Sequence, residues 1–163
     1  MIKTECVSID SPDKARAYAL RLLRYRGRSE KELTERLLIK GATKQIVIST
    51  IRHLKKIGLI DDVLLAESLK RHALADKLLS HYAAKQFLLT RGIQPDLVEK
   101  LFDHPASTDR YNAKVLLNKK ARILKNYPPE IQQRRIYHTL MRKGYSYRTI
   151  KTVLSEYFLK KED

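Results

Sequence analysis

Three stretches of this chain end alike. Arg36-Leu-Leu-Ile-Lys-Gly41, Phe87-Leu-Leu-Thr-Arg-Gly92 and Thr139-Leu-Met-Arg-Lys-Gly144 each place an apolar pair and then a cation before a glycine. Two residues past each glycine stands a polar residue, Thr43, Gln94 or Ser146, where a following helix starts. A cation before glycine is how a helix ends: the cation meets the negative end of the dipole, and glycine supplies the left-handed stop. The glycines are spaced 51 and 52 residues apart. A period of that size predicts tandem copies of one supersecondary unit rather than a single layered domain.

The first copy is marked most clearly. Ser29 is a good N-cap, Glu32 completes a capping box, and Leu33 and Leu37 give the helix an apolar face. Before it, Ser11-Pro12 opens a helix over about 12–26, with Ala15, Tyr18, Ala19, Leu22 and Leu23 on one side and Arg21, Arg24 and Arg28 on another. After it, Thr43 caps a helix to about 57 with Ile46, Val47, Thr50, Ile51 and Leu54 inward. In the second copy, Asp61 or Asp62 caps a helix carrying Leu65, Leu69 and Leu64, a second helix spans about 80–91, and a third runs from Pro95 to about 103. The third copy opens with a helix over about 107–126, striped by Ala113, Leu116, Leu117, Ala121, Leu124 and Tyr127. Pro128-Pro129 then starts a helix bearing Ile136, Leu140 and Met141, and Ser146 caps a last one with Ile150, Val153, Leu154 and Phe158. The expected fold is all-α: a loose arm over 1–11 and three-helix repeats over 12–58, 59–105 (closed by His104-Pro105) and 106–160. Each repeat is too small to hold a core alone, so an elongated array of helix-turn-helix-like units follows.

Charge supplies the functional signal. The chain has 163 residues and a net charge of +16, which favours a polyanionic partner or surface. The charge is uneven: +10 over 14–60, −1 over 61–105 and +9 over 106–163. Uniform basicity would not skip the middle repeat. The single cysteine, Cys6, excludes an internal disulfide framework and suits a reducing cytoplasm. No apolar run approaches the roughly 20 residues of a membrane helix, and the N-terminus lacks a signal-peptide apolar region. No Gly-rich phosphate loop, nucleophile elbow or His-Glu-x-x-His motif occurs, and the five histidines lack ligand spacing, so the reading is a non-enzyme without metal or cofactor.

Taken together, Arg-Ser-Glu-Lys-Glu-Leu-x-x-Arg-Leu at 28–37, Gly58-Leu-Ile-Asp-Asp62 followed by Ala66, Leu-x-Arg-Gly-Ile at 89–93 and Gly144-Tyr-Ser-Tyr-x-x-Ile150 resemble the RecX family of RecA regulators over about residues 12–160. The resemblance implies tandem three-helix repeats and binding to RecA filaments on single- or double-stranded DNA, with restraint of recombination and of the DNA-damage response. The chain departs from the family's pattern in the middle repeat. Leu64-Leu65-Ala66 stands for the usual Arg-Phe-Ala, Leu78 replaces the glycine of a Lys-Gly turn after Lys77, and Phe87-Leu88 replaces a Glu-Leu pair.

Two basic clusters are the candidate contacts with nucleic acid or filament. The first is Arg21, Arg24, Arg26, Arg28, Arg36 and Lys40. The second is Lys119, Lys120, Arg122, Lys125, Arg134, Arg135, Arg142 and Lys143; Lys119 and Lys120 cannot both face one partner, and the contact set takes Lys119. Arg forks pair with phosphate or carboxylate, and Tyr25, Tyr145 and Tyr147 lie among these charges where they could stack on bases. The bland reading of such charges is a solvated helix face, and of the tyrosines ordinary packing. Asp61 and Asp62 read first as a helix cap and second as an acidic spot for a protein partner. The favoured function is a monomeric, cytoplasmic inhibitor of RecA filaments whose DNA contacts are salt-sensitive and sequence-blind. The rival is a sequence-specific helix-turn-helix transcription factor; against it, no helix concentrates the Asn, Gln and Arg that read base edges.

Overall fold

In a computed structural model, residues 9–103 and 107–159 are described. Among them are nine α-helices and no strand: α1 Pro12–Tyr25, α2 Glu30–Ile39, α3 Lys44–Lys56, α4 Asp62–Arg71, α5 His81–Thr90, α6 Pro95–Leu101, α7 Ser107–Ile123, α8 Pro129–Arg142 and α9 Tyr147–Leu159. The expected all-α repeat is present, with helix ends shifted by up to three residues. Cys6, most of the 1–11 arm, the His104-Pro105 boundary and the last residues of the tail lie outside the described residues.

The capping residues legible in the sequence carry their helices. Ser11, Ser29, Thr43, Ser80 and Ser146 each accept a backbone N–H from three residues on, at 3.4, 3.1, 3.4, 3.1 and 3.2 Å. Asp61 rather than Asp62 caps α4, with Oδ1 accepting the N–H groups of Val63 and Leu64 at 2.9 and 3.0 Å. Gly41, Gly92 and Gly144 all take positive φ, at 84°, 77° and 82°, so the helix stops behave as expected. Directly after α4, residues His72–Asp76 widen into a π-turn, where the Lys77 N–H donates to the His72 carbonyl.

The contacts divide the chain into two units: residues 1–67 with 89–97, and 68–88 with 98–163. The first three repeat helices pack on one another in the first unit, and the last three in the second. Leu33, Leu37, Val47, Ile51 and Leu54 close the first core with Ala15 and Ala19. Leu116, Leu117, Ile136, Leu140, Ile150 and Val153 close the second. The middle repeat is shared between the units, because it supplies half of a joint to each.

The two joints repeat one another. In the first unit, the Ser29 hydroxyl donates to the Arg91 carbonyl at 2.8 Å while capping α2. The next N–H, of Glu30, donates to Asp62 Oδ1 at 3.0 Å, and Arg91 Nη2 donates to the Gly27 carbonyl at 2.8 Å. In the second unit, the Ser80 N–H donates to the Lys143 carbonyl at 3.0 Å. The next N–H, of His81, donates to Asp109 Oδ1 at 2.8 Å, and Lys143 Nζ donates to the Lys77 carbonyl at 2.6 Å. Each joint thus docks a helix N-terminus onto the glycine turn and first helix of the next repeat. The turns must be glycine for space as well as φ: a Cβ on Gly92 would stand 2.6 Å from Ser29 Oγ, and one on Gly144 2.7 Å from Ala83 Cβ.

Several expectations need correcting. The arm is not loose to its end: Ile9 is buried, and its N–H donates to the Lys40 carbonyl at 3.1 Å, the acceptor equivalent to those of Arg91 and Lys143. Glu32 makes only half of a capping box; its carboxylate turns to Arg26 and Arg91. Leu64, Tyr127 and Met141 face solvent rather than the core, at 65, 44 and 46% exposure. Leu64 points away because Ala66 and Leu69 take the buried side of α4. Tyr127 lies beyond the end of α7.

Candidate basic surfaces

The structure sorts the first cluster by what holds each cation. Arg26 makes a forked pair with Glu32, at 2.8 and 3.1 Å. Arg28 lies past the end of α1, not along its face; it is half-buried, and its Nε reaches the Leu22 carbonyl at 3.5 Å. Burial first, and then neighbouring Arg26 and Arg36, push its pKa down. Arg28 is therefore a strut inside a crowded positive field. Arg21 lies over the Tyr18 ring at 5.2 Å. Arg24, Arg36 and Lys40 are exposed, and with Arg21 they are the members of this cluster best placed to meet a partner. Nearby, Lys55 is drawn to Glu30 at 2.8 Å, so the groove between α2 and α3 carries its own counter-charge.

The second cluster divides between two grooves and open surface. Lys120, Arg135 and Arg142 line a groove between α7 and α8, together with Ile123, Leu124, His138, Thr139 and Met141. Arg135 stacks its guanidinium over the Tyr127 ring at 4.3 Å. Arg134, one residue earlier and so about 100° around α8, lines a separate hollow with Glu130, Gln133, Tyr137 and Leu154. Lys119 and Arg122 are exposed on α7, and Lys125 is exposed just past its end. Lys143 is half-buried in the joint; burial, then Lys77 and Lys120, lower its pKa.

Of the interleaved tyrosines, Tyr25 and Tyr147 are open at 75 and 64% exposure. Tyr145 is not available for stacking: it is 3% exposed and donates its hydroxyl to the Leu78 carbonyl at 2.9 Å. Desolvation, and secondarily Asp109, raises its pKa, so it stays a neutral donor. Asp62 is half-buried with Oδ1 on the Glu30 N–H; burial raises its pKa against the pull of that hydrogen bond. Both acidic candidates thus serve backbone N–H groups. Among the described residues no cluster of His, Cys, Asp and Glu could hold a metal ion, and no helix is long and apolar enough to cross a membrane.

Sequence reasoning missed the structural roles of Arg91, Lys143 and Asp109 and set Lys120 aside. One signal was present: the spans from Ser29 to Gly92 and from Ser80 to Gly144 are 63 and 64 residues, matching the repeat period plus a constant offset.

These surfaces sit on a scaffold with known counterparts. Two family models match the chain: the first three-helix domain of RecX over residues 15–54 and the third over 109–154. The regulatory protein RecX of Mycobacterium sp. (strain JLS) is 32% identical over 141 residues, 82% of this chain and 76% of the relative. That of Thermobifida fusca is 28% identical over 135 residues, 82% of this chain and 72% of the relative. The crystal structure of RecX from Lactobacillus salivarius superposes with a TM-score of 0.68 at 26% identity, covering 91% of this chain and 97% of that one.

Proposed function

We propose, on the premise that this chain belongs to the RecX family of regulatory proteins, that it binds RecA filaments assembled on DNA and restrains recombinase activity. The observation that carries the reading is the pairing of that family scaffold with exposed cations in both units. Arg21, Arg24, Arg36 and Lys40 serve one unit; Lys119, Arg122, Lys125, Arg134, Arg135 and Arg142 serve the other. Two basic surfaces on one chain, one in each unit, engage a repeating polyanion or acidic filament surface with an effective concentration that a single surface lacks. Arg26, Arg28 and Lys143 support the fold and take no part in the contact; neither do Asp61 and Asp62, whose carboxylates hold backbone N–H groups.

RecA ATPase on single-stranded DNA tests this, with the protein added well below the RecA concentration and the DNA varied in parallel. Inhibition at low ratio that excess DNA does not relieve is the expected result. Relief by excess DNA would reduce the protein to a coat on the DNA. A strong preference for one duplex sequence would move it to the transcription-factor class.

A further inference from the structure

The α7–α8 groove combines two features that neither solvation nor phosphate binding explains together. Its rim carries Lys120, Arg135 and Arg142 with no carboxylate among the lining residues. Over residues 116–155 the chain has ten Lys and Arg against the single acid Glu130, and that acid lines the other hollow of α8. The groove between α2 and α3, by contrast, has a carboxylate in its lining, Glu30, which pairs with Lys55 beside Arg52. Amid these charges stand two large apolar side chains, Ile123 at 71% and Met141 at 46% exposure. Ile123 ends α7 and Met141 is the next-to-last residue of α8. A helix end does not require an exposed isoleucine, and methionine is the side chain that adapts most readily to an irregular apolar partner.

We propose that this groove docks an acidic, amphipathic segment of a protein partner, its carboxylates meeting Lys120, Arg135 and Arg142 and its apolar face covering Ile123 and Met141. Single-stranded nucleic acid is the poorer occupant. Its phosphates would satisfy the cations, but base stacking needs an open aromatic face. The Tyr127 face is taken by Arg135, and the His138 ring meets Tyr137 edge-on at 5.6 Å. Phosphate and sugar leave Ile123 and Met141 wet, whereas leucines on a peptide remove them from water.

Fluorescence anisotropy on the full chain separates the occupants with three labelled probes. One is a Glu-rich peptide with leucines on one helical face, the second has the same composition with its leucines scattered, and the third is oligothymidylate. The amphipathic peptide is expected to bind about tenfold more tightly than the scattered one. Ile123→Ser with Met141→Ser should weaken it by about fivefold or more and leave oligothymidylate within about twofold. Both substitutions are at exposed positions, and circular dichroism checks the fold. Equal binding of the two peptides by the unaltered chain would overturn the proposal. So would a double variant that loses peptide and oligothymidylate alike, which would assign the groove to nucleic acid. The assay contains no RecA, so its failure and that of the filament reading are distinguishable.

Discussion

The joint between the first two repeats predicts that two glycines with nearly the same backbone will respond very differently to one methyl group. Gly58 and Gly92 have φ of 72° and 77°. Alanine at either pays the left-handed penalty of about 1–2 kcal/mol. A Cβ on Gly58 meets nothing within 4 Å, so the penalty is the whole cost there. A Cβ on Gly92 would stand 2.6 Å from Ser29 Oγ and 3.1 Å from Lys31 Cβ. The hydroxyl must then leave both the Arg91 carbonyl and the Glu32 N–H. One interior hydrogen bond and one N-cap are together worth about 2 kcal/mol. Gly92→Ala should therefore cost about 3–4 kcal/mol and Gly58→Ala about 1–2. Urea unfolding followed by circular dichroism reads the difference as a lower midpoint at unchanged slope. Ser29→Ala supplies the cycle: without the hydroxyl, Gly92→Ala should fall to about the cost of Gly58→Ala, a coupling of about 2 kcal/mol. Equal costs at the two glycines, or simple additivity with Ser29→Ala, would refute the interlock.

Three further outcomes are expected. Leu78 holds φ at 49° where the family's pattern has glycine, yet it is buried in the second core. Leu78→Gly should relieve about 1–2 kcal/mol of strain and lose about 1.5–3 of burial, leaving a net destabilisation of about 1 kcal/mol in urea unfolding; a gain in stability would show that the core does not use this side chain. Reversing Arg24 and Arg36 to Glu should leave the urea midpoint nearly unchanged and reduce the salt dependence of DNA binding by about 1.5 in log–log slope, whereas Arg28→Glu should lower the midpoint; the opposite ranking would mean that Arg28 is the contact. Asp62 has a raised pKa from burial, so ionising it disfavours the fold, and its contribution to stability falls as pH rises through that pKa. Asp62→Asn keeps an acceptor for the Glu30 N–H without the charge, so its stability relative to the unaltered chain should improve from pH 3 to pH 7; a constant difference across that range would rule the titration out.

What the sequence alone determined is local. Capping groups and glycine stops depend on residues within one helical turn, so Ser29, Thr43, Ser80, Ser146 and the three repeat glycines could be placed from their neighbours. Apolar periodicity likewise placed most of the buried face of each helix, because a helix has only one stripe to bury. The family motifs lie in these same short segments. Errors came where a residue's role depends on a distant partner. Glu32 has the spacing of a capping box, but Arg26 and Arg91 offer it a charge that a backbone N–H cannot match. Tyr145 sits among cations in the sequence and inside a core in space. Only the tertiary structure decided which cations are struts and which are open, since Arg28 and Arg36 are indistinguishable by composition and differ only in what packs on them. It alone also brought Ile123 and Met141 to one basic groove, because α7 and α8 meet through a core whose geometry no single helix encodes.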